Sequence, residues 1–204
     1  MKNVQPAAED PTRIALSWWQ DARVRTAAQI LFLVGMGAVA TLMKKITFPL
    51  GIPGHSGVLW LGALVAGRAL VRRDGAGLLM GASMALWAIP IGSNKAFTYN
   101  LGLYAATGLT LDIVAKLPRI SIRHPLGAIF CGMMAHMVKF GFVAIPALVG
   151  GVTKKFMLVG PVESGLLHLA FGAAAGLLGW GAYRVRQQRR RNQQTAKKAG
   201  ERRG

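Results

Sequence analysis

Eight polar or aromatic side chains fall within or beside the long apolar stretches of this chain, where such residue types are costly and usually functional. They are Lys139, His168, Tyr104, His136, Trp87, Asn100, Glu163 and His55. Amines and imidazoles bind anions, amides and phenols form hydrogen bonds, and aromatic rings wall small-molecule sites. Together these residue types predict a binding site for a small molecule.

Helical spacing brings several of these side chains to one depth. His136 and Lys139 lie three residues apart and therefore share a helix face. Lys139 follows Pro125 by 14 residues, which places it ~21 Å along a helix that crosses a ~30 Å core. The same counting puts His168 and Tyr104 at a similar height. The remaining members of the set lie in this layer or close to it: Trp87, Asn100, His55 and Glu163. We expect one pocket that opens to the outer side.

Each candidate also has a simpler interpretation. The stem of Lys139 can extend so that its ammonium group reaches the outer interface. His168 can bond a neighbouring helix, and Trp60 and Trp87 can face lipid or pack against other helices. Asp112, near the inner end of its helix, is expected to pair with an arginine rather than to serve a site.

Catalytic and metal-binding patterns are absent from the sequence. It contains no H-E-x-x-H, G-x-S-x-G, paired-carboxylate or phosphate-loop motif. Asp112 and Glu163 are too few acids for acid/base chemistry, and Cys131 is the single cysteine. His136 and Lys139 form His-x-x-Lys rather than the His-x-x-His of a metal site. We expect no enzyme activity, no cofactor and no metal.

The elements that position these residues follow from composition. Of the 204 residues, 52% are hydrophobic and 16% are charged, as expected for a membrane bundle. Six apolar runs are present, at residues 26–43, 56–71, 75–92, 98–115, 125–149 and 161–183. They predict an all-α integral membrane protein with a bundle of six transmembrane helices, although the second run is short and Pro90 interrupts the third.

The distribution of charge predicts the orientation. The net charge of +18 could suggest nucleic-acid binding, but the basic residues lie in short loops and at the chain end rather than on an aromatic-interleaved surface. All the arginines fall on one side of the six-span arrangement. The Lys and Arg residues of the opposite loops are all lysines: Lys44, Lys45, Lys95, Lys154 and Lys155. Because basic loops stay inside, we expect both termini in the cytoplasm of a bacterial inner-membrane protein, and no nucleic-acid partner.

Three segments are expected along the chain. Residues 1–23 form a cytoplasmic or interfacial approach, residues 24–183 form the membrane domain, and residues 184–204 form a basic, disordered tail that lies against anionic lipid. Small residues recur at four-residue spacing in several spans, as in Gly77/Gly81 and Gly172/Gly176. Such pairs serve close packing within the chain, or a face for another membrane subunit.

With this architecture, the chain resembles the substrate-binding (S) components of energy-coupling-factor vitamin transporters. The resemblance rests on the short six-span chain, its inside termini and a Gly/Pro-rich first outer loop, residues 48–56, able to lid an outward pocket. S components typically carry Ala-x-x-x-Ala on the first helix, where they meet the coupling subunit. Here that segment reads Gly37-x-x-x-Thr41.

The resemblance implies capture of a vitamin-like molecule at the outer side and uptake driven by a membrane coupling subunit with ATPase subunits. The lysines at the outer mouth favour an anionic ligand by electrostatic steering. The leading hypothesis is therefore the membrane-embedded substrate-binding subunit of an uptake transporter. A structural or assembly subunit of a membrane complex is the alternative, followed by a membrane-embedded enzyme that acts on lipid.

Overall fold

The apolar stretches of the sequence do not alternate between polar and apolar residues as strands do, and they form helices in the described parts of the chain. The structure, a computed structural model, describes residues 22–46, 52–93, 95–150 and 160–201. These contain a 3-10 turn, His55–Gly57, and the helices α1 (Ala22–Lys45), α2 (Val58–Leu70), α3 (Ala76–Ala88), α4 (Phe97–Val114), α5 (Pro125–Gly150) and α6 (Pro161–Glu201). Within those ranges there is no strand, and each of the six predicted spans coincides with a helix. The predicted all-α class is confirmed.

Three of these helices are long and apolar enough to cross a membrane: α1, α5 as far as Ala147, and α6 as far as Ala196. Helices α2 and α3 have 13 residues each, or ~20 Å of helix, which is shorter than a ~30 Å hydrocarbon core. The long apolar helices are typical of a membrane protein.

The chain divides into two units, Met1–Phe32 and Leu33–Gly204. In the first unit, residues 22–32 begin α1, with Arg23, Arg25 and Leu31 exposed. The second unit contains a core in which Leu33, Leu61 and Leu64 are fully buried.

Glycine faces hold the helices of the second unit close together. A Cβ added to Gly77 would overlap the carbonyl oxygen of Gly108, so α3 and α4 meet backbone to backbone. Gly132 on α5 faces Gly172 and Gly176 on α6 in the same way. The predicted small-residue pairs Gly77/Gly81 and Gly172/Gly176 therefore pack inside the chain, as close-approach pairs do in membrane helices.

The Gly37-x-x-x-Thr41 segment of α1 is also internal. A Cβ on Gly37 would overlap Ser83 of α3. The Thr41 hydroxyl, which is buried, lies 2.9 Å from the Gly37 carbonyl oxygen and 3.2 Å from that of Met84. This face of α1 is therefore covered by α3.

A buried ion pair holds α2, α3 and α4 together at one end. Arg68 Nε lies 2.6 Å from Asp112 Oδ1, and both residues are under one-tenth exposed. The two Asp112 carboxylate oxygens also accept the backbone N–H groups of Gly77 and Leu78 at 3.0 and 2.9 Å. The first N–H groups of a helix have no partner within it, so Asp112 of α4 caps α3. The predicted pairing of Asp112 with an arginine is confirmed.

The C-terminal segment differs from the expected disordered tail. Helix α6 continues to Glu201 and is 41 residues long. Arg, Gln, Lys and Ala are strong helix formers, and residues 184–199 contain neither proline nor glycine. Residues 184–201 therefore form a helix although they have no apolar face with which to pack against other helices.

Candidate functional site

Most of the eight predicted site residues separate into two groups on different helices. One group, Tyr104 and Asn100, bonds residues that line a cavity of about 240 Å³, which we call the lysine cavity. Its described lining residues are Thr41, Lys44, Lys45, Ala88, Ile91, Gly92, Ser93 and Lys95. None of these residues is acidic, and three carry an ammonium group. The cavity therefore has the chemistry of an anion site.

The lysines of this cavity are held by neutral groups. Lys44 Nζ donates to the hydroxyl of Tyr104, whose buried ring packs edge-on against Trp60 with centroids 5.5 Å apart. Lys45 Nζ donates to the Gly92 carbonyl at 2.9 Å. These two contacts place the amines, and their acceptors, a phenol and a carbonyl, carry no charge. Tyr104 thus positions Lys44 through this hydrogen bond and does not itself line the cavity.

Asn100 organises the segment that closes the cavity. It lies in the first turn of α4, and its Nδ2 donates to Ser93 Oγ at 3.0 Å and to the Lys95 carbonyl at 3.1 Å. Ser93 Oγ also accepts the backbone N–H of Lys95 at 3.3 Å. Because this oxygen already accepts two N–H groups, its remaining hydrogen-bonding capacity is its own proton. That proton suits an anion.

The second group is a histidine cluster formed by His136, His168, Lys139 and Ser56. The His136 and His168 rings lie 5.0 Å apart, and Nδ1 of His136 is 2.7 Å from the His168 carbonyl oxygen. His168 Nδ1 lies 2.7 Å from the Ser164 carbonyl oxygen. Lys139 Nζ donates to Ser56 Oγ at 2.8 Å. This cluster joins α5 and α6, through Ser56, to the end of the loop that follows α1.

Two glycines bring that loop onto the histidines. Gly54 has φ +88°, a conformation that glycine adopts without strain. A Cβ on Gly57 would overlap Nε2 of His136, which is fully buried and has no hydrogen-bond partner among the described residues. Gly57 therefore lies directly against the His136 ring, and the contacts of the histidine cluster anchor the loop to α5 and α6.

The other predicted residues, Trp87, His55 and Glu163, belong to neither group. Trp87 is 40% exposed in the last turn of α3 and does not line the lysine cavity. His55 Nδ1 contacts the Ile52 carbonyl within the loop. Glu163 is exposed in the first turn of α6, beside Gly160, where a carboxylate is favoured by the helix dipole.

The lining residues Lys45, Lys95, Ser93 and Thr41 were not among the predicted site residues. These lysines were expected to steer a ligand by their charge rather than to contact it. Their position at helix ends was the available signal: Lys44 and Lys45 end α1, and Lys95 precedes α4.

No protein-family model, curated protein or solved structure matches this chain. Within the described ranges, no three His, Cys, Asp or Glu side chains come together to hold a metal ion. The side chains that line the lysine cavity are suited to bind an anion.

Proposed function

We propose that this chain is a membrane-embedded binding subunit for a small anionic molecule and serves as the substrate-binding subunit of an uptake transporter. The observation that carries the proposal is the lysine cavity, whose described lining includes three lysines and Ser93 but no acidic residue. A partly enclosed cationic cavity raises the local concentration of anions and speeds their entry.

The size of the cavity limits the ligand. About 240 Å³ is below the ~300 Å³ at the lower end of drug-sized sites. It accommodates a carboxylate or phosphate group with a compact organic body. A vitamin-like acid of this size is the substrate class that we propose.

The proposed topology has six transmembrane helices with both termini in the cytoplasm. Helix α4 supports it: Lys95 precedes its first residue, and Lys116, Arg119 and Arg123 follow its last. Arginines are concentrated at the second end, which the positive-inside rule assigns to the cytoplasm. The lysine cavity then faces outward.

The proposed transporter requires an energising partner, as the resemblance to S components implies. Because α3 covers the Gly37–Thr41 face of α1, such a membrane subunit has to contact another face. Exposed apolar residues of α5 and α6, such as Leu126, Phe130 and Leu166, are suited to that contact in a bilayer.

Ligand binding can be tested on the full-length protein in detergent. Thermal unfolding would be followed with a panel of small sodium carboxylates and inorganic phosphate, and native mass spectrometry would detect anions that co-purify. We expect at least one anion to raise the melting temperature. Lys45→Gln and Lys95→Gln should each weaken that anion's binding by about tenfold, the worth of one charged hydrogen bond.

Two further lysines serve as controls. Lys116→Gln removes the same charge at the other end of α4, and Lys139→Gln removes it from the histidine cluster; both should leave affinity unchanged. No stabilising anion, or an equal loss in all four variants, would sink the proposal. Uptake of the identified anion into vesicles, with and without ATP, then tests the transport step.

A structural or assembly subunit is the second candidate, and α6 favours it. The helix is 41 residues long, or ~60 Å, about twice the thickness of a hydrocarbon core. Its exposed basic part, residues 184–196, is a surface for an acidic partner. Co-purification of a protein through this segment, together with an empty lysine cavity, would favour this candidate.

A further inference from the structure

A second cavity lies at the opposite end of α4 from the lysine cavity. Its volume is about 230 Å³, and we call it the arginine cavity. Its described lining residues are Arg68, Arg72, Ala115, Ile120, Ser121, Ile122 and Arg123. Three arginines and a serine thus line one space between the end of α2 and the loop that joins α4 to α5.

The cavity keeps a net positive charge. Asp112 pairs with Arg68 at 2.6 Å, and Asp74 pairs with Lys116 at 3.1 Å. Neither pair involves Arg72 or Arg123, which have no carboxylate partner in the described part of the chain. Burial lowers the pKa of the Arg123 guanidinium, and the charge of Arg72 lowers it further. An anion between these two side chains would relieve that repulsion.

Arg123 is held in place before any ligand arrives. Its Nε donates to the Ala69 carbonyl at 2.9 Å, and its guanidinium lies 5.5 Å from the centre of the Tyr183 ring. The Arg123 carbonyl accepts the Trp180 indole N–H at 3.1 Å. A guanidinium has five N–H donors, so the bond to Ala69 leaves four. A side chain that is already fixed loses less entropy on binding.

Arginine chemistry indicates which anion fits. The planar guanidinium matches the oxygens of a phosphate group in pairs, whereas lysine acts as a point charge. Trp180 and Tyr183 border this end, and such residues favour the headgroup level of a bilayer. Basic pockets between membrane helices at the cytoplasmic side bind phosphate headgroups.

We propose that the arginine cavity binds a phosphate group, supplied by the headgroup of an anionic phospholipid. This site is separate from the lysine cavity, because the full length of α4 lies between them. A bound headgroup would bridge the end of α2 to the loop between α4 and α5 and so fasten that end of the bundle.

The test uses full-length protein and native mass spectrometry with phosphatidylglycerol or phosphatidylcholine. Wild-type protein should retain one phosphatidylglycerol in preference to phosphatidylcholine. Arg72→Gln should reduce that retention about tenfold, the worth of one charge-assisted contact. Arg73→Gln is the matched control: it removes the same charge from the next residue, which is exposed and does not line the cavity. It should change retention by less than about twofold, as expected for an exposed charge.

Arg123→Lys gives an independent reading. It keeps the charge but cannot bond Ala69 and present paired donors to a phosphate at once, so retention should fall while Arg73→Gln protein is unaffected. Inorganic phosphate added in excess distinguishes the source of the phosphate group. Displacement of the lipid by inorganic phosphate would assign the cavity to a soluble phosphate and overturn the lipid. Equal retention of both lipids by wild-type protein, or equal losses from Arg72→Gln and Arg73→Gln, would overturn the site itself.

Discussion

Polar side chains in this protein have two distinct roles, one structural and one in ligand binding, and their burial distinguishes the two. Asp112 and His136 are enclosed and hold elements together. Lys45, Lys95 and Arg72 are exposed around cavities and remain available to a ligand. Substitutions of the first kind should affect stability, and those of the second kind should affect binding.

Asp112→Asn should strongly destabilise the second unit. The change leaves Arg68 buried beside a neutral amide and replaces one of the oxygens that accept the Gly77 and Leu78 N–H groups. Breaking a buried ion pair from one side typically costs about 3–5 kcal/mol. Asp74→Asn is the control, since its pair with Lys116 is exposed and worth about 0–1 kcal/mol. Thermal unfolding in detergent measures both, and equal effects would contradict the capping role of Asp112.

Gly57→Ala should loosen the loop between α1 and α2. The added Cβ would overlap Nε2 of His136, whose ring is held by the His168 carbonyl. Overpacking of this kind costs about 1–3 kcal/mol, read as a lower melting temperature and faster proteolysis near Ser56. Gly141→Ala, in the same helix as His136, meets nothing within 4 Å and should be neutral. A stable Gly57→Ala protein would show that the loop does not press on the histidine.

At the scale of elements, local sequence explains where helices lie and glycine explains which of them touch. Helices α3 and α4 each present a glycine, Gly77 and Gly108, to the other's backbone. Helix α5 does the same with α6 through Gly132. The hydropathy of the six runs made the helices predictable, because it depends on neighbouring residues only. Which helix faces pack together was less predictable, because that depends on which backbones can approach each other closely.

The extended end of α6 gives a prediction for one element. Removal of residues 188–204 should lower the helical circular-dichroism signal in proportion to the residues lost, because residues 188–201 are helical. The melting temperature should hardly change, since residues 188–196 are exposed. A helical signal that is unchanged after truncation would support the disordered tail that the sequence analysis predicted.

For the whole molecule, two differently basic ends define the proposed orientation. The end with the lysine cavity should face outward and the end with the arginine cavity inward. Single cysteines can test this, because the native Cys131 is fully buried and should react slowly. In intact cells, a membrane-impermeant maleimide should label Lys95→Cys, and it should label Arg73→Cys only after lysis. The reverse pattern would invert the topology, and labelling of both in intact cells would contradict the six-span arrangement.

By itself, the sequence determined the helix positions, the uneven distribution of lysine and arginine, and the pairing of Asp112 with an arginine. These follow from local hydropathy and from the cost of burying a lone charge. The tertiary structure decided that the predicted layer of site residues divides. Tyr104 bonds Lys44, which lines the lysine cavity, whereas Lys139 bonds Ser56 in the histidine cluster. Helical counting gives a residue's height in the membrane, but only packing decides which side chains at one height share a cavity.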